Sequence, residues 1–139
     1  MPALLFLLLS LTRVADGDTV TIGKGQRVRL YGIDAPERDQ PGGAEATAAL
    51  RELLARQIDS MEILDQDRYG RWVAVIHTKD GTNVNLEMIR AGQAWFYAHH
   101  CTKQPVCSDF QAAEAEARAE NRGLWQSPNP RPPWKWPRK

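Results

Sequence analysis

Residues 26–37 read QRVRLYGIDAPE, a short alternating strand that runs directly into two acids. The apolar residues of this strand point to one face, so Arg29 lies on the opposite face. Pro36 ends the strand because proline has no backbone N–H to donate to a sheet. Asp34 and Glu37 therefore follow the end of the strand that carries Arg29.

Acids and arginines recur in two further turns next to predicted strands. Residues 16–19 read DGDT between β-branched flanks, and Asp-Gly is a strong hairpin or bulge signal. Residues 69–71 read YGR at the start of another strand. Converging carboxylates bind a hard cation through oxygen, and converging arginines bind phosphate. If the fold brings the three segments together, they suit a metal-assisted attack on a phosphodiester.

The rest of the pattern favours a mainly β domain of the α+β class. Short β-rich segments separated by turn signals lie at residues 12–22 (in two pieces), 26–33, 60–66, 71–78 and 93–98. Helical patterns lie at residues 44–57, 84–92 and 109–122. Asp109 is predicted to cap the last helix. Short, predominantly antiparallel strands at this spacing favour a small barrel with helices appended.

The bulk composition is that of a single globular domain, and we predict no transmembrane span. The chain has 139 residues, which leaves room for one modest core. Its formal net charge is only +1, so the chain as a whole is no polycation.

Both ends of the chain depart from the domain pattern. The first eleven residues are almost wholly apolar but too short for a membrane helix, which needs about 20 residues. They are the remnant of an export signal or the first strand, and a truncated or misassigned start is a third alternative. The other end, from residue 122, has five basic residues, no acid, and many Pro and Trp. We predict a solvated, disordered tail there, with contact to an anionic polymer as the alternative.

The two cysteines, Cys101 and Cys107, bracket a short segment that contains a proline. A local disulfide is the favoured interpretation, and it would imply an oxidising compartment. A metal clip that includes His99 and His100 is one alternative, and two free thiols are the other.

Four motifs in this order resemble the staphylococcal nuclease (thermonuclease) family: VADGDTV, RLYGIDAPE, DRYGR and AEAEARAENRGLW. The resemblance extends from about Thr12 to Trp125. It implies a five-stranded OB-fold barrel with three helices. It also divides the chain into an apolar N-terminal segment, a nuclease-like domain and a basic tail, at residues 1–11, 12–125 and 126–139.

The resemblance implies a Ca²⁺ site and a base beside it. Asp18 and Asp34 match the two metal carboxylates. Ala35 matches a residue that contributes its backbone carbonyl, which explains why an alanine can stand there. Glu37 matches the acid that activates or orients the attacking water.

The resemblance further implies phosphate and base contacts. Arg29 and Arg71 match the two arginines that hold the scissile phosphate through their forked donors. Arg68 and Tyr69 match residues that contact a neighbouring phosphate of the nucleotide. Tyr97 is the tyrosine nearest to the expected base pocket, where stacking tolerates any base.

The activity implied is that of a Ca²⁺-dependent, sugar-nonspecific nuclease acting on DNA and RNA, preferentially single-stranded. It would cleave the P–O5′ bond and leave 3′-phosphate ends. The alternative is a non-catalytic OB-type module that only binds nucleic acid, and the presence of all the acids and arginines disfavours it.

We expect a monomer. The cysteine-bearing loop resembles that of exported bacterial relatives, so we expect a secreted or periplasmic location, with the cytoplasm as the alternative.

Overall fold

The computed structural model describes residues 10–137 of the chain. Most of the apolar N-terminal segment, and with it the choice between export signal and strand, lies outside these residues. Leu11 is described, and it begins the first strand.

Within residues 10–137, seven strands form two sheets: β1 (Leu11–Asp16), β2 (Thr19–Ile22), β3 (Gln26–Leu30), β4 (Ile33–Asp34), β5 (Ile58–Gln66), β6 (Trp72–Thr78) and β7 (Trp95–Phe96). The larger sheet has five strands in the order β1-β2-β3-β6-β5, and β4 pairs with β7 in the smaller one. Only the β3–β6 pair of the larger sheet is parallel, while its other pairs are antiparallel. The predicted mainly β, predominantly antiparallel architecture is therefore confirmed.

Closure of the larger sheet into a barrel is not confirmed. Among the described residues, β1 pairs only with β2 and β5 pairs only with β6, so both remain edges of an open sheet. The first helix packs against β1.

In the described part of the chain, three α-helices follow the predicted order: α1 (Gly43–Leu54), α2 (Val84–Arg90) and α3 (Val106–Ala119). Helix α1 ends three residues earlier than predicted, because Gln57 takes a left-handed conformation with φ 72° that a helix cannot include. None of the helices within residues 10–137 is long and apolar enough to cross a bilayer.

The predicted cap at Asp109 is wrong, because α3 begins three residues earlier at Val106. Asp109 lies inside the first turn of the helix. The Oε1 of Gln104 accepts hydrogen bonds from the amide and the hydroxyl of Ser108, at 3.1 and 2.6 Å. Gln104 thereby satisfies an amide at the helix start, in place of the predicted cap.

The core lies between the larger sheet and the three helices, and buried Asn85 ties its layers together. The Oδ1 of Asn85 accepts a hydrogen bond from the Ile76 amide, at 3.1 Å. Its Nδ2 donates to the carbonyls of Tyr31 and Ala74, both at 3.0 Å. Because the segment after β3 is held in this way, the residues that follow Tyr31 have a defined path toward β4.

Cys101 and Cys107 form a disulfide with a Cα–Cα distance of 5.7 Å, as predicted. Both sulfurs are used by this bond, so the metal clip and the pair of free thiols are excluded. The disulfide anchors the start of α3, where Cys107 is buried in the core.

The tail differs from the solvated, disordered segment predicted for it. Two 3₁₀ turns, Gly123–Gln126 and Pro133–Lys135, fold this part of the chain back onto the domain. Trp125 and Pro133 are buried there. Burial of apolar Trp and Pro side chains stabilises the docked arrangement.

Candidate active site

A cleft of about 740 Å³ opens beside the ends of β2, β3 and β4. It is rich in acids and arginines. All nine residues to which the sequence assigned metal, catalytic or substrate roles line it: Asp18, Arg29, Asp34, Ala35, Glu37, Arg68, Tyr69, Arg71 and Tyr97. The fold therefore brings together three segments that are separate in the sequence.

Strand pairing explains why the first acid meets the first arginine. Thr19 is the partner of Arg29 in the β2–β3 ladder, and Asp18 immediately precedes Thr19. The Leu30 amide donates to the Asp18 carbonyl at 2.8 Å. The tight turn between β1 and β2 thus delivers the Asp18 carboxylate next to the guanidinium of the neighbouring strand.

Arg29 bridges the two predicted metal carboxylates. Its Nη1 lies 3.1 Å from Oδ2 of Asp18, and its Nη2 lies 3.3 Å from Oδ1 of Asp34. The Arg29 side chain is 18% exposed, so these ion pairs are largely shielded from water. Burial alone would lower the pKa of Arg29, but the carboxylates of Asp18 and Asp34 outweigh it and raise that pKa. The guanidinium is therefore a fixed cation at the floor of the cleft.

Asp18 is held in its ionised form by its partners. Its Oδ2 accepts the Ala35 amide at 2.7 Å, and its Oδ1 accepts the Thr19 hydroxyl at 3.0 Å. Burial raises the pKa of Asp18, but Arg29 and these hydrogen bonds together hold the pKa below its ordinary value. The same amide contact brings the Ala35 backbone directly beside the carboxylate.

The pKa values of two neighbouring acids are shifted in the opposite direction, upward. Burial, and then the charge of Asp18, raise the pKa of Asp34 to about 7. The same two causes raise the pKa of Asp16 to about 7. Asp16 accepts the Asp18 amide at 3.0 Å and lines the cleft, yet the sequence suggested only a turn position for it. The available signal was its spacing, two residues before Asp18 on the same turn.

The donor set at this point suits a hard cation. Asp18 and Asp34 offer carboxylate oxygens, and the Ala35 backbone lies beside them, with no sulfur or imidazole in the set. Within residues 10–137, no group of three or more His, Cys, Asp or Glu side chains could hold a metal by itself. An ion bound here would complete its shell with water and substrate oxygens, as hard cations commonly do.

The turn between β5 and β6 contributes the second arginine. The Nε of Arg71 donates to Oδ2 of Asp67 at 2.6 Å, and the amides of Tyr69 and Arg71 donate to Oδ1 of the same residue. Burial opposes the shift, but these hydrogen bonds hold the pKa of Asp67 below its ordinary value. Asp67 therefore orients the Arg71 guanidinium, a role that the sequence alone did not indicate.

Aromatic contacts order the same turn. The guanidinium groups of Arg68 and Arg71 lie 5.0 and 5.6 Å from the centroid of the Tyr69 ring. The Nη2 of Arg68 also donates to the Tyr69 hydroxyl at 2.8 Å. Two cations are thus gathered on one exposed aromatic side chain at the mouth of the cleft.

A tight loop holds Glu37. The Gln40 amide donates to the Glu37 carbonyl at 2.9 Å, and the Glu37 amide donates to Oε1 of Gln40 at 3.1 Å. A Cβ on residue 43 would lie 2.0 Å from the Glu37 carbonyl oxygen, so only glycine fits there. Gln40 is a residue that sequence reasoning missed, because its effect depends on this loop geometry.

The far part of the cleft is aromatic. The Tyr97 ring stacks on Trp134 with 5.4 Å between centroids, and it meets His100 at 5.2 Å. Both Trp134 and His100 line the cleft. No sequence signal placed Trp134 here, because it lies in the tail, 37 residues after Tyr97.

Comparisons with known proteins agree with this geometry. The family model described as "Staphylococcal nuclease homologue" matches residues 27–127. An "Uncharacterized endonuclease" of Escherichia coli O157:H7 is 42% identical over 127 residues, covering 89% of this chain and 80% of its own. The "Micrococcal nuclease" of Shigella flexneri is 36% identical over 137 residues, covering 91% and 78%. "Protein ParB" of Escherichia coli is 35% identical, covering 91% and 76%.

Proposed function

Because the chain belongs to the staphylococcal nuclease homologue family, we propose that it is a Ca²⁺-dependent nuclease that hydrolyses phosphodiester bonds of DNA and RNA. One observation carries the proposal. The Arg29 guanidinium lies 3.1 Å from Asp18 and 3.3 Å from Asp34, in a cleft that also contains Glu37 and Arg71. Acids and forked cations within one cleft suit metal-assisted attack on phosphate.

Asp18, Asp34 and the Ala35 carbonyl would hold Ca²⁺. The oxygen-only donor set fits this ion, because hard cations prefer carboxylate and carbonyl oxygens. When bound, Ca²⁺ would neutralise part of the phosphate charge and polarise the phosphoryl group.

The two arginines hold the scissile phosphate in this proposal. Their planar forks donate to the equatorial oxygens, whose charge grows in the transition state. Arg29 is kept in place by Asp18 and Asp34, and Arg71 by Asp67. Because Asp67 already holds the Nε of Arg71, this guanidinium needs little reorganisation to meet the phosphate.

Glu37 accepts the proton of the attacking water. Its carboxylate lines the same cleft as both arginines, and its backbone is held by Gln40. A positioned carboxylate that takes a proton in the transition state contributes about 10²- to 10⁴-fold to the rate.

The substrate is a single strand, held through its backbone and bases. Arg68 and Tyr69 contact a neighbouring phosphate, and Tyr97 offers an aromatic face to a base. None of these contacts distinguishes ribose from deoxyribose, which agrees with action on both DNA and RNA. Cleavage at the P–O5′ bond would leave 3′-phosphate ends.

The test is digestion of 5′-labelled single-stranded DNA and RNA with Ca²⁺ or with EGTA. We expect both polymers to be degraded with Ca²⁺ and neither with EGTA. Treatment with a 3′-phosphatase, which removes the terminal 3′-phosphate from each 5′-labelled product, should then shift every product band. Degradation in EGTA would refute the role of Ca²⁺. Tight binding of both polymers without any cleavage would instead favour a non-catalytic nucleic-acid-binding module.

The enzyme acts outside the cytoplasm in this proposal, secreted or periplasmic. The Cys101–Cys107 disulfide supports this, because such bonds persist in oxidising compartments. When fractionated cells are treated with an alkylating reagent, we expect the protein in the extracytoplasmic fraction. Neither cysteine should be alkylated there, because both are held in the disulfide. Reduced protein in the cytoplasmic fraction would contradict the location.

The enzyme is also proposed to act as a monomer. In support, all nine assigned residues line one cleft of a single chain, so the site needs no second copy. Light scattering after size exclusion should give the mass of one chain, 15.7 kDa, at working concentrations. A dimer mass that persists on dilution would overturn this.

A further inference from the structure

The end of the chain forms a strap, residues 131–136, that lies against the loop after Glu37. Two hydrogen bonds tie the strap to this loop. The Nε2 of Gln40 donates to the Arg131 carbonyl at 2.7 Å, and the Nε1 of Trp136 donates to Oδ1 of Asp39 at 3.2 Å. Pro133, between these two points, is buried. The strap is therefore part of the domain and not a loosely attached tail.

The strap inserts one aromatic side chain into the cleft. The Trp134 ring lies nearly parallel to that of Tyr97, with 5.4 Å between centroids and 28° between planes. Its edge meets Trp95 at 5.6 Å and 73°. These two contacts fix both the position and the tilt of the indole, so it is presented as a rigid surface.

Trp134 nevertheless remains 44% exposed. One of its faces is covered by Tyr97, so most of this exposure belongs to the other face and the free edges. Large exposed apolar side chains in the described part of the chain are Ile63, Tyr69 and Trp134, and the latter two both line the cleft. Exposed aromatic surface concentrated in one polar cleft marks a binding surface, not incidental exposure.

We propose that Trp134 extends the Tyr97 stack and provides the outer stacking surface for a nucleobase of the single-stranded substrate. The inference rests on the proposed nuclease function and names a subsite of the same cleft. A base has two flat faces and needs no specific hydrogen bond to stack, so an open indole face in the same cleft as the phosphate-binding arginines can accept any base. The strap thus contributes one tryptophan that is held in place at the cleft.

The test compares two fluorescein-labelled six-nucleotide probes, one of thymidylate and one of abasic sites with the same phosphates. Binding is measured by anisotropy with Ca²⁺ in a Glu37→Gln background, which preserves the probe. In that background we expect Trp134→Ala to raise the Kd for the thymidylate probe about 10-fold, with no change for the abasic probe. With Glu37 intact, the same substitution should raise KM and leave kcat nearly unchanged.

Three further variants keep the outcome interpretable. Trp134→Phe should restore most of the affinity, because it retains an aromatic face, whereas Trp134→Leu should behave like alanine while keeping apolar bulk. Ile63→Ala, an exposed site outside the cleft, should change neither probe. Equal losses for both probes, or tighter binding after Trp134→Ala, would overturn the inference. Failure of the wild-type protein to cleave, with base-dependent binding intact, would count against the nuclease function alone.

Discussion

The side chain of Gln40 donates a hydrogen bond to the backbone carbonyl of Arg131, although 91 residues separate them. The same side chain accepts the amide of Glu37 at 3.1 Å. One buried amide group therefore joins the loop that carries the proposed base to the strap that carries Trp134.

Gln40→Ala should lower kcat far more than it raises KM. The substitution leaves the Glu37 amide and the Arg131 carbonyl without this partner, so the base loses its fixed position. Misplacement of a reacting group by about 1 Å costs on the order of 10²-fold, and we expect a fall between about 10- and 100-fold. Steady-state kinetics on single-stranded DNA measure the effect.

Gln111→Ala, on the exposed side of α3, is the matched control and should leave both constants unchanged. A Gln40→Ala enzyme with the wild-type kcat would show that Glu37 is positioned without Gln40.

Glu37→Gln should reduce kcat by about 10²- to 10⁴-fold, because the amide cannot accept the proton of the attacking water. The side chain keeps its size, so circular dichroism and the melting temperature should not change. Glu45→Gln, an exposed acid in the first turn of α1, serves as the control and should be fully active. Loss of less than a factor of about five in kcat would exclude Glu37 as the general base.

Arg71→Lys should lower kcat/KM by about 10²-fold even though the charge is kept. Lysine lacks the planar fork, so it cannot bond to Asp67 and to two phosphate oxygens together. Arg51→Lys, an exposed residue of α1, makes the same chemical change outside the cleft. Near-wild-type kcat/KM in Arg71→Lys would mean that only charge matters at this position.

Asp16→Asn should stabilise the Ca²⁺-free protein at pH 8 and have little effect near pH 4. Burial and Asp18 raise the pKa of Asp16 from 3.8 to about 7 in the folded state. Between these two pKa values the folded protein binds a proton that the unfolded chain has released. The contribution of protonated Asp16 to the free energy of unfolding is therefore present at low pH and is lost as pH rises toward 7. Asparagine removes the charge and still accepts the Asp18 amide.

We expect a gain of about 3–6 °C in melting temperature at pH 8, as for roughly 1 kcal/mol. Thermal denaturation in EGTA at the two pH values measures it, with exposed Asp59→Asn on β5 as the control. An equal shift at both pH values would show that the charge of Asp16 is not responsible.

Removal of the disulfide should cost about 2 kcal/mol of unfolding free energy, the value for a loop of this length in the chain-entropy account. Urea denaturation of a Cys101→Ser/Cys107→Ser variant measures the loss. Wild-type protein treated with a reductant should lose a similar amount, whereas the variant should not respond. A reductant effect on the variant would mean that the reagent acts elsewhere.

Sequence reasoning named candidate residues whose chemistry can be read locally. Asp18 lies in a turn, Asp34 ends β4 with Glu37 shortly after it, Arg29 lies in β3 and Arg71 directly precedes β6. The helices were predicted from their periodicity, and the disulfide from the proximity of Cys101 and Cys107. Each of these rests on neighbours within a few residues, which is the range over which patterns are informative.

Tertiary structure decided the rest. The open sheet, the raised pKa of Asp16, the orientation of Arg71 by Asp67 and the docking of the strap all depend on contacts between elements or on exclusion of water. Trp134 is the clearest case, because its partner Tyr97 lies 37 residues away and nothing near Trp134 in the chain indicates a stacking role. The sequence by itself determined which groups could bind a cation, a phosphate and a proton. Only the packing of the chain determined that they share one cleft, since burial and long-range hydrogen bonds have no local signature.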